Sequence, residues 1–226
     1  LAALDRLLGD DARDALVSLM LANNETGVIQ PVAEAARVAH AKGALVHCDA
    51  IQVAGKIAVD ARALGVDLLS LSAHKLGGPQ GVGALYAGPR VALAAGIRGG
   101  GQERGRRAGT ENVPGIAGFG AAAAAARRDL AGAGAPRLPN TSCIVSPGIA
   151  SATQVMALDL AGIAVSAGSA CSSGKVRPSH VLAAMGASAM EAGAAIRVSL
   201  GWRSTEADVD RFRAEWRKMV ARRTAA

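Results

Sequence analysis

Four short apolar runs, each broken by polar or turn-forming residues, constrain this chain more than any other feature. Residues 16–22 (LVSLMLA), 44–48 (ALVHC, ending at Asp49), 67–72 (DLLSLS) and 82–87 (VGALYA) read as buried strands. Between the first two, Pro31 opens a helical pattern that runs through Lys42 and stops at Gly43. A short helical stretch is expected near residues 60–64. Strands alternating with helices predict an α/β fold with a mainly parallel sheet. Polar residues gather directly after the strands, at the end of an open α/β sheet where ligands usually sit.

The second half follows the same logic less regularly. Residues 97–112 form a glycine- and arginine-rich loop, and 114–130 an alanine-rich helix. By composition, residues 131–139 (AGAGAPRLP) are a linker. The domain organisation expected is therefore 1–130, a linker at 131–139, and 140–226. In the last part, strands are expected at 141–146, 163–166 and 195–200, and helices at 152–161 and 178–185. A glycine–serine loop surrounds Cys171. Thr205 with Asp208 gives a capping-box-like start to a basic final helix. Residues 1–15 carry acids among the bases and no long apolar core, so they read as neither signal nor transit peptide but as a helix entered partway.

Composition excludes several classes. Half of the residues are hydrophobic and 19% are charged, which is not the profile of a disordered chain. No apolar run is long enough for a membrane span. Three cysteines are too few for a disulfide scaffold, and the odd count points to a reducing, cytoplasmic setting. The net charge of +7 could attract nucleic acid. Two Trp, one Tyr and two Phe, however, make a poor stacking platform, and no nucleic-acid-binding module is present.

Three motifs carry chemistry. Ser72-Ala73-His74-Lys75-Leu76-Gly77-Gly78-Pro79 places a lysine directly after a strand, among small neighbours. Enclosure there would lower the amine's pKa and make it a nucleophile toward aldehydes, which suits a Schiff base with pyridoxal phosphate. The plainer alternative is a solvated loop lysine. His47-Cys48-Asp49-Ala50-Ile51-Gln52 puts an aspartate at a strand end, where it can pair with a pyridinium nitrogen and keep the ring an electron sink; the alternative is a helix N-cap. Ser166-Ala167-Gly168-Ser169-Ala170-Cys171-Ser172-Ser173-Gly174 sets Cys171 in an uncrowded loop where its thiol would be accessible. A passive free thiol is the alternative. Cys48 and Cys143 fall inside strand patterns and read as small core residues.

Taken in order, these motifs resemble the cysteine desulfurases of the nitrogen-fixation and iron–sulfur-cluster type, within the class V aminotransferase-like family. Asn23-Asn24-Glu25-Thr26-Gly27, Arg104-Gly105-Arg106-Arg107-Ala108-Gly109-Thr110 and Arg197-Val198-Ser199-Leu200-Gly201 extend the resemblance from residue 16 to residue 213. The resemblance implies a fold type I pyridoxal-phosphate transferase, with an incomplete large domain and a reduced C-terminal small domain. It implies that Lys75 holds the cofactor and then moves protons, and that Asp49 pairs with the pyridinium. It also implies that Gln52 and Asn24 lie at the phenolic oxygen, with Asn24 also near the substrate carboxylate. Ser72 and His74 would bind the phosphate, and Thr110 the phosphate of a neighbouring subunit in a homodimer. Arg197 would clamp the carboxylate of L-cysteine. Cys171 would be the nucleophile that takes the sulfur as a persulfide, releasing alanine, and the one metal-ligating candidate, as a transient iron–sulfur ligand. The sulfur would pass to an acceptor or iron–sulfur scaffold protein.

Against this family the chain departs twice. The front part, which in the family carries a glycine–threonine phosphate turn and a ring-stacking histidine, has no counterpart here. The 130–138 stretch resembles an internal deletion of a helix and strand. Two other readings follow: an inactive remnant that only dimerises or binds a family partner, and a selenocysteine lyase or aminotransferase of the same superfamily. The basic final helix, with Arg211, Arg213, Arg217, Lys218, Arg222 and Arg223, could meet an acidic acceptor or simply face solvent.

Overall fold

The computed structural model describes residues 1–128, 137–168 and 178–224. The chain divides into two compact units: Leu1–Asn23 with Val28–Leu138, and Asn24–Gly27 with Pro139–Ala226.

In the first unit, a helix α1 (Ala2–Leu8) precedes strand β1 (Leu16–Met20). Helix α2 (Val32–Ala41) crosses over to β2 (Leu45–Asp49). β3 (Leu68–Ser72) and β4 (Gly83–Ala87) complete a sheet of order β1-β2-β3-β4. β1, β2 and β3 run parallel, whereas β4 is antiparallel to β3. The reversal follows from chain length. Only a 3-10 turn (Ala73–Leu76) and a short loop join β3 to β4, and a parallel return needs a crossover of a dozen residues or more. A long helix, α3 (Val113–Arg128), is the last helix or strand of this unit among the described residues.

α2 buries Val32, Ala35, Ala36 and Ala39, one stripe at helical spacing. Their small size brings the helix close to Val17, Val46, Cys48 and Leu69 of the sheet. α2 ends where Gly43 takes a φ of 88°, and a Cβ there would lie 2.6 Å from Arg13 Cγ. The expected helix near 60–64 is a single turn. Its one helical bond runs from Leu64 N to Asp60 O at 2.9 Å, and Gly65 at φ 67° turns the chain away. Asp60 Oδ1 accepts from the amides of Arg62 at 2.8 Å and Ala63 at 3.2 Å, which starts that turn.

Just before β3, the buried Asp67 closes the sheet from the end opposite the strand C-termini. Its Oδ2 accepts from the Val46 amide at 2.9 Å and meets His40 Nε2 at 2.8 Å. Arg90 Nη1 stands 3.7 Å from its other oxygen.

The second unit holds an antiparallel sheet of β5 (Thr141–Val145), β6 (Ser166–Ala167) and β7 (Ala195–Ser199), in the order β5-β7-β6. Helices α4 (Ser151–Leu160), α5 (His180–Ala184), α6 (Ala189–Gly193) and α7 (Glu206–Thr224) surround it. Period-2 alternation sorts the side chains. Ile144, Ala167, Ile196 and Val198 join Leu158 and Phe212 on one face. Cys143, Val145 and Ala195 join Leu182 and Ala192 on the other. Fully buried Gln154 is satisfied by Ser146 Oγ (3.1 Å) and the carbonyls of Ile149 (2.9 Å) and Ala194 (2.7 Å). The capping box at Thr205 and Asp208 forms as expected, with the Asp208 amide 3.3 Å from Thr205 Oγ1 and the Thr205 amide 2.9 Å from Asp208 Oδ2. α6 is an element that periodicity does not predict, because it is one turn long. Its Ser188–Glu191 capping box is the local signal that marks it.

Candidate active site

Parallel pairing puts the C-terminal ends of β2 and β3 side by side, with Asp49 in register with Ser70. Three groups of candidates therefore share one end of the sheet. Asp49 closes β2 and is half-buried. Its Oδ1 accepts from the Ile51 amide at 2.9 Å, which turns the chain after the strand and leaves Oδ2 for a second partner. No helix follows Asp49, so the N-cap alternative reduces to this local turn.

Ser72 closes β3, and the 3-10 turn then carries His74 and Lys75. Ser72 Oγ lies 2.8 Å from His74 Nδ1. Ala73 anchors the turn at 0% exposure, while His74 and Lys75 are exposed. The enclosure of Lys75 expected from its small neighbours is thus not made by the turn itself. Its buried side chain is Ala73, and the two basic residues point outward from it.

The turn after β2, which carries Gln52, packs against the lysine turn at Leu76. Lys56 Nζ donates to the Gln52 carbonyl at 2.5 Å. Burial, and then the charge of Lys75, lower the Lys56 pKa. Gly55 permits the approach. Its φ is 77°, and a Cβ there would sit 2.9 Å from Ala126 Cβ and 3.2 Å from Leu76 Cβ. Lys56 belongs to none of the sequence motifs; its i+4 spacing from Gln52 is the one local signal for it.

On the sheet face opposite α2, His47 links three strands. Its Nδ1 is 2.8 Å from Ser18 Oγ and its Nε2 3.2 Å from Ser70 Oγ. Cys48 points the other way, is 0% exposed, and has its thiol pKa raised to about 11 by burial and then by Asp49. Cys48 is a core residue, as its place in the strand suggests. Cys143 is half-buried in β5 and packs in the Leu182 cluster.

Two further candidates meet in the second unit. Arg197, on β7, donates from Nη1 to the Asn24 carbonyl at 3.1 Å. Next to Asn24, the carboxylate of Glu25 is buried and accepts from Ser179 Oγ, whose residue caps α5. Glu25 belongs to the Asn23–Gly27 motif, but its burial is set by tertiary contacts that the motif does not reveal. Thr110 lies on the exposed loop that follows a 3-10 turn at Gln102–Gly105. Cys171 lies outside the described residues. Among the described residues, no group of three or more His, Cys, Asp or Glu is placed to hold a metal ion. Nor is any helix among them long and apolar enough to cross a membrane.

A parallel α/β sheet that gathers a carboxylate, a hydroxyl, an imidazole and a lysine at its strand ends defines a class of chains built to hold a small charged ligand. A family model described as aminotransferase class-V matches residues 2–131 and 124–212, and the chain belongs to that family. A cysteine desulfurase of Cereibacter sphaeroides is 48% identical over 88% of this chain. The chain spans 58% of that relative's length. Among solved structures, the NifS-like protein of Rickettsia africae ESF-5 aligns with a TM-score of 0.85 at 33% identity, covering 96% of this chain and 65% of that one. A structure described as SspA in complex with cysteine aligns with a TM-score of 0.68 at 33% identity, covering 82% of this chain and 58% of that one. These neighbours bear out the α/β fold expected from the strand pattern.

Proposed function

We propose that this chain is the lysine-bearing part of a pyridoxal-phosphate-dependent cysteine desulfurase. The observation that carries the reading is the cluster at the strand ends: Asp49 beside the turn of Gln52, and Ser72 bonded to His74 next to Lys75. Curated relatives 43–48% identical to the chain bear that activity in their names, and one solved relative was captured with cysteine.

The residues fit the cofactor by donor chemistry. Ser72 and His74 supply neutral and ionisable donors for a phosphate, and Lys75 a primary amine for an aldehyde. Asp49 supplies a carboxylate for a ring nitrogen, with Gln52 beside it. When bound, pyridoxal phosphate would supply the electron sink at the substrate's Cα. The chain's own residues do the rest. Arg197 holds the α-carboxylate of L-cysteine in a planar fork, with the Asn24 carbonyl fixing one of its arms. Once substrate has displaced it, the Lys75 amine takes the proton from Cα and returns it. The Cys171 thiolate attacks the substrate sulfur. An S–S bond forms to Cys171 as the substrate C–S bond breaks, its electron pair stays with the carbon fragment, and protonation yields alanine. The Cys171 persulfide then passes its outer sulfur to an acceptor or scaffold thiolate. A homodimer in which Thr110 reaches the neighbouring subunit's phosphate, and a cytoplasmic setting, belong to the same reading.

The visible spectrum of the chain mixed with pyridoxal phosphate tests it, beside Lys75→Ala. An absorption band that requires Lys75 and changes with L-cysteine is expected, together with sulfide release lost in Cys171→Ser. A spectrum equal to that of Lys75→Ala overturns the reading for this chain.

A further inference from the structure

Within the second unit, the 24–27 segment is held by contacts to two adjacent residues, Asn24 and Glu25. Arg197 donates to the Asn24 carbonyl at 3.1 Å. Ser179 Oγ donates to the carboxylate of Glu25. Glu25 is 5% exposed, Thr26 6% and Ser179 3%, so this is a buried polar joint and not a surface contact. Burying a carboxylate is costly unless hydrogen bonds compensate it. A fold that needed only a spacer here would be served by an apolar residue. The Ser179 hydroxyl is used in both directions: it donates to Glu25 and accepts from the Leu182 amide at 3.1 Å as the N-cap of α5. The joint therefore fixes the segment to a helix terminus, and the carbonyl beside it is the one that takes an arm of Arg197.

We propose that Glu25 is a positioning residue of the carboxylate site: by locking the 24–27 segment to Ser179, it holds the Asn24 carbonyl where it aims the Arg197 guanidinium at the substrate. The substrate half of this inference rests on the desulfurase reading; the anchoring half does not. Arg197 lies on the face of the small sheet shared with Cys143, its register partner. Its long side chain has several rotamers, and a guanidinium tethered at one nitrogen loses less freedom when it closes on a carboxylate. Releasing the tether would therefore weaken substrate binding more than it slows the reacting atoms.

The test uses the full chain and two readouts. Amide hydrogen exchange, followed by mass spectrometry without cofactor, compares the wild type with Glu25→Gln, Glu25→Ala and Ser179→Ala. Steady-state kinetics with L-cysteine and pyridoxal phosphate compare the same set. Glu25→Ala and Ser179→Ala are expected to speed exchange over residues 24–29 by about tenfold while leaving β5 unchanged. Glu25→Ala is expected to raise KM about tenfold with kcat within about threefold. Glu25→Gln keeps an acceptor for Ser179 and is expected to stay near the wild type in both. Unchanged exchange over 24–29 in Glu25→Ala overturns the anchor, and a fall in kcat at constant KM overturns the aiming role. A wild type that releases no sulfide overturns the desulfurase reading instead, and the exchange data still decide the anchor.

Discussion

Ser72 Oγ and His74 Nδ1 lie 2.8 Å apart at the exit of β3, one residue before Lys75. The strand end and the 3-10 turn thus present a preformed hydroxyl–imidazole pair on either side of buried Ala73. If this pair receives the phosphate, then Ser72→Ala and His74→Ala each weaken pyridoxal phosphate binding by about tenfold, or roughly 1.4 kcal/mol for a charge-assisted bond. Binding of pyridoxal, which lacks the phosphate, should change by less than about twofold. Fluorescence titration with the two compounds checks this.

Lys56 carries a pH signature. Its folded pKa is lowered, first by burial and then by Lys75, while the unfolded chain keeps the ordinary value of 10.5. Below the lowered value both states hold the proton, and the folded state bears the penalty of a charged, partly buried amine. Between that value and 10.5 the unfolded state binds more protons, so stability rises with pH. Urea unfolding of the wild type minus that of Lys56→Met should therefore climb through this window and level off above it. A flat difference would overturn the lowered Lys56 pKa.

Cys48 should be chemically silent. A thiol pKa raised from 9.0 to about 11 leaves about a hundredfold less thiolate at pH 8 than in the unfolded chain, before its complete burial is counted. The sign is opposite to that of Lys56: stability is full below pH 9 and falls as the pH rises through 11. Peptide mass spectrometry after iodoacetamide treatment at pH 8 should find Cys48 unlabelled in the folded chain and labelled in urea.

Asp67 tests the far end of the sheet. Removing its carboxylate leaves the Val46 amide without its acceptor, His40 without its hydrogen-bond partner and Arg90 without its counter-charge. Asp67→Ala should cost about 2–4 kcal/mol in urea unfolding. Asp67→Asn, which keeps one acceptor, should cost less. Neither change should alter the local bond between Ser72 and His74, so pyridoxal phosphate affinity of the folded fraction should hold.

Local rules made much of this chain legible from its residues. Short apolar runs mark β1, β2 and β3, Pro31 and Gly43 bracket α2, and Thr205 with Asp208 marks the start of α7. The lysine turn and the strand-end aspartate could be singled out because both are defined by the few residues around them. What the residues left open was decided by partners far away in the chain. β4 runs antiparallel because the link from β3 is too short for a crossover, a fact of three-dimensional closure and not of its own composition. The 24–27 segment joins the second unit through Arg197, 173 residues away from Asn24, and Ser179, 154 away from Glu25. Propensity, periodicity and capping act over one or two turns of chain, so they determine which elements form. The choice of which carbonyl meets which guanidinium arises only when packing brings distant segments together and leaves buried polar groups to be satisfied.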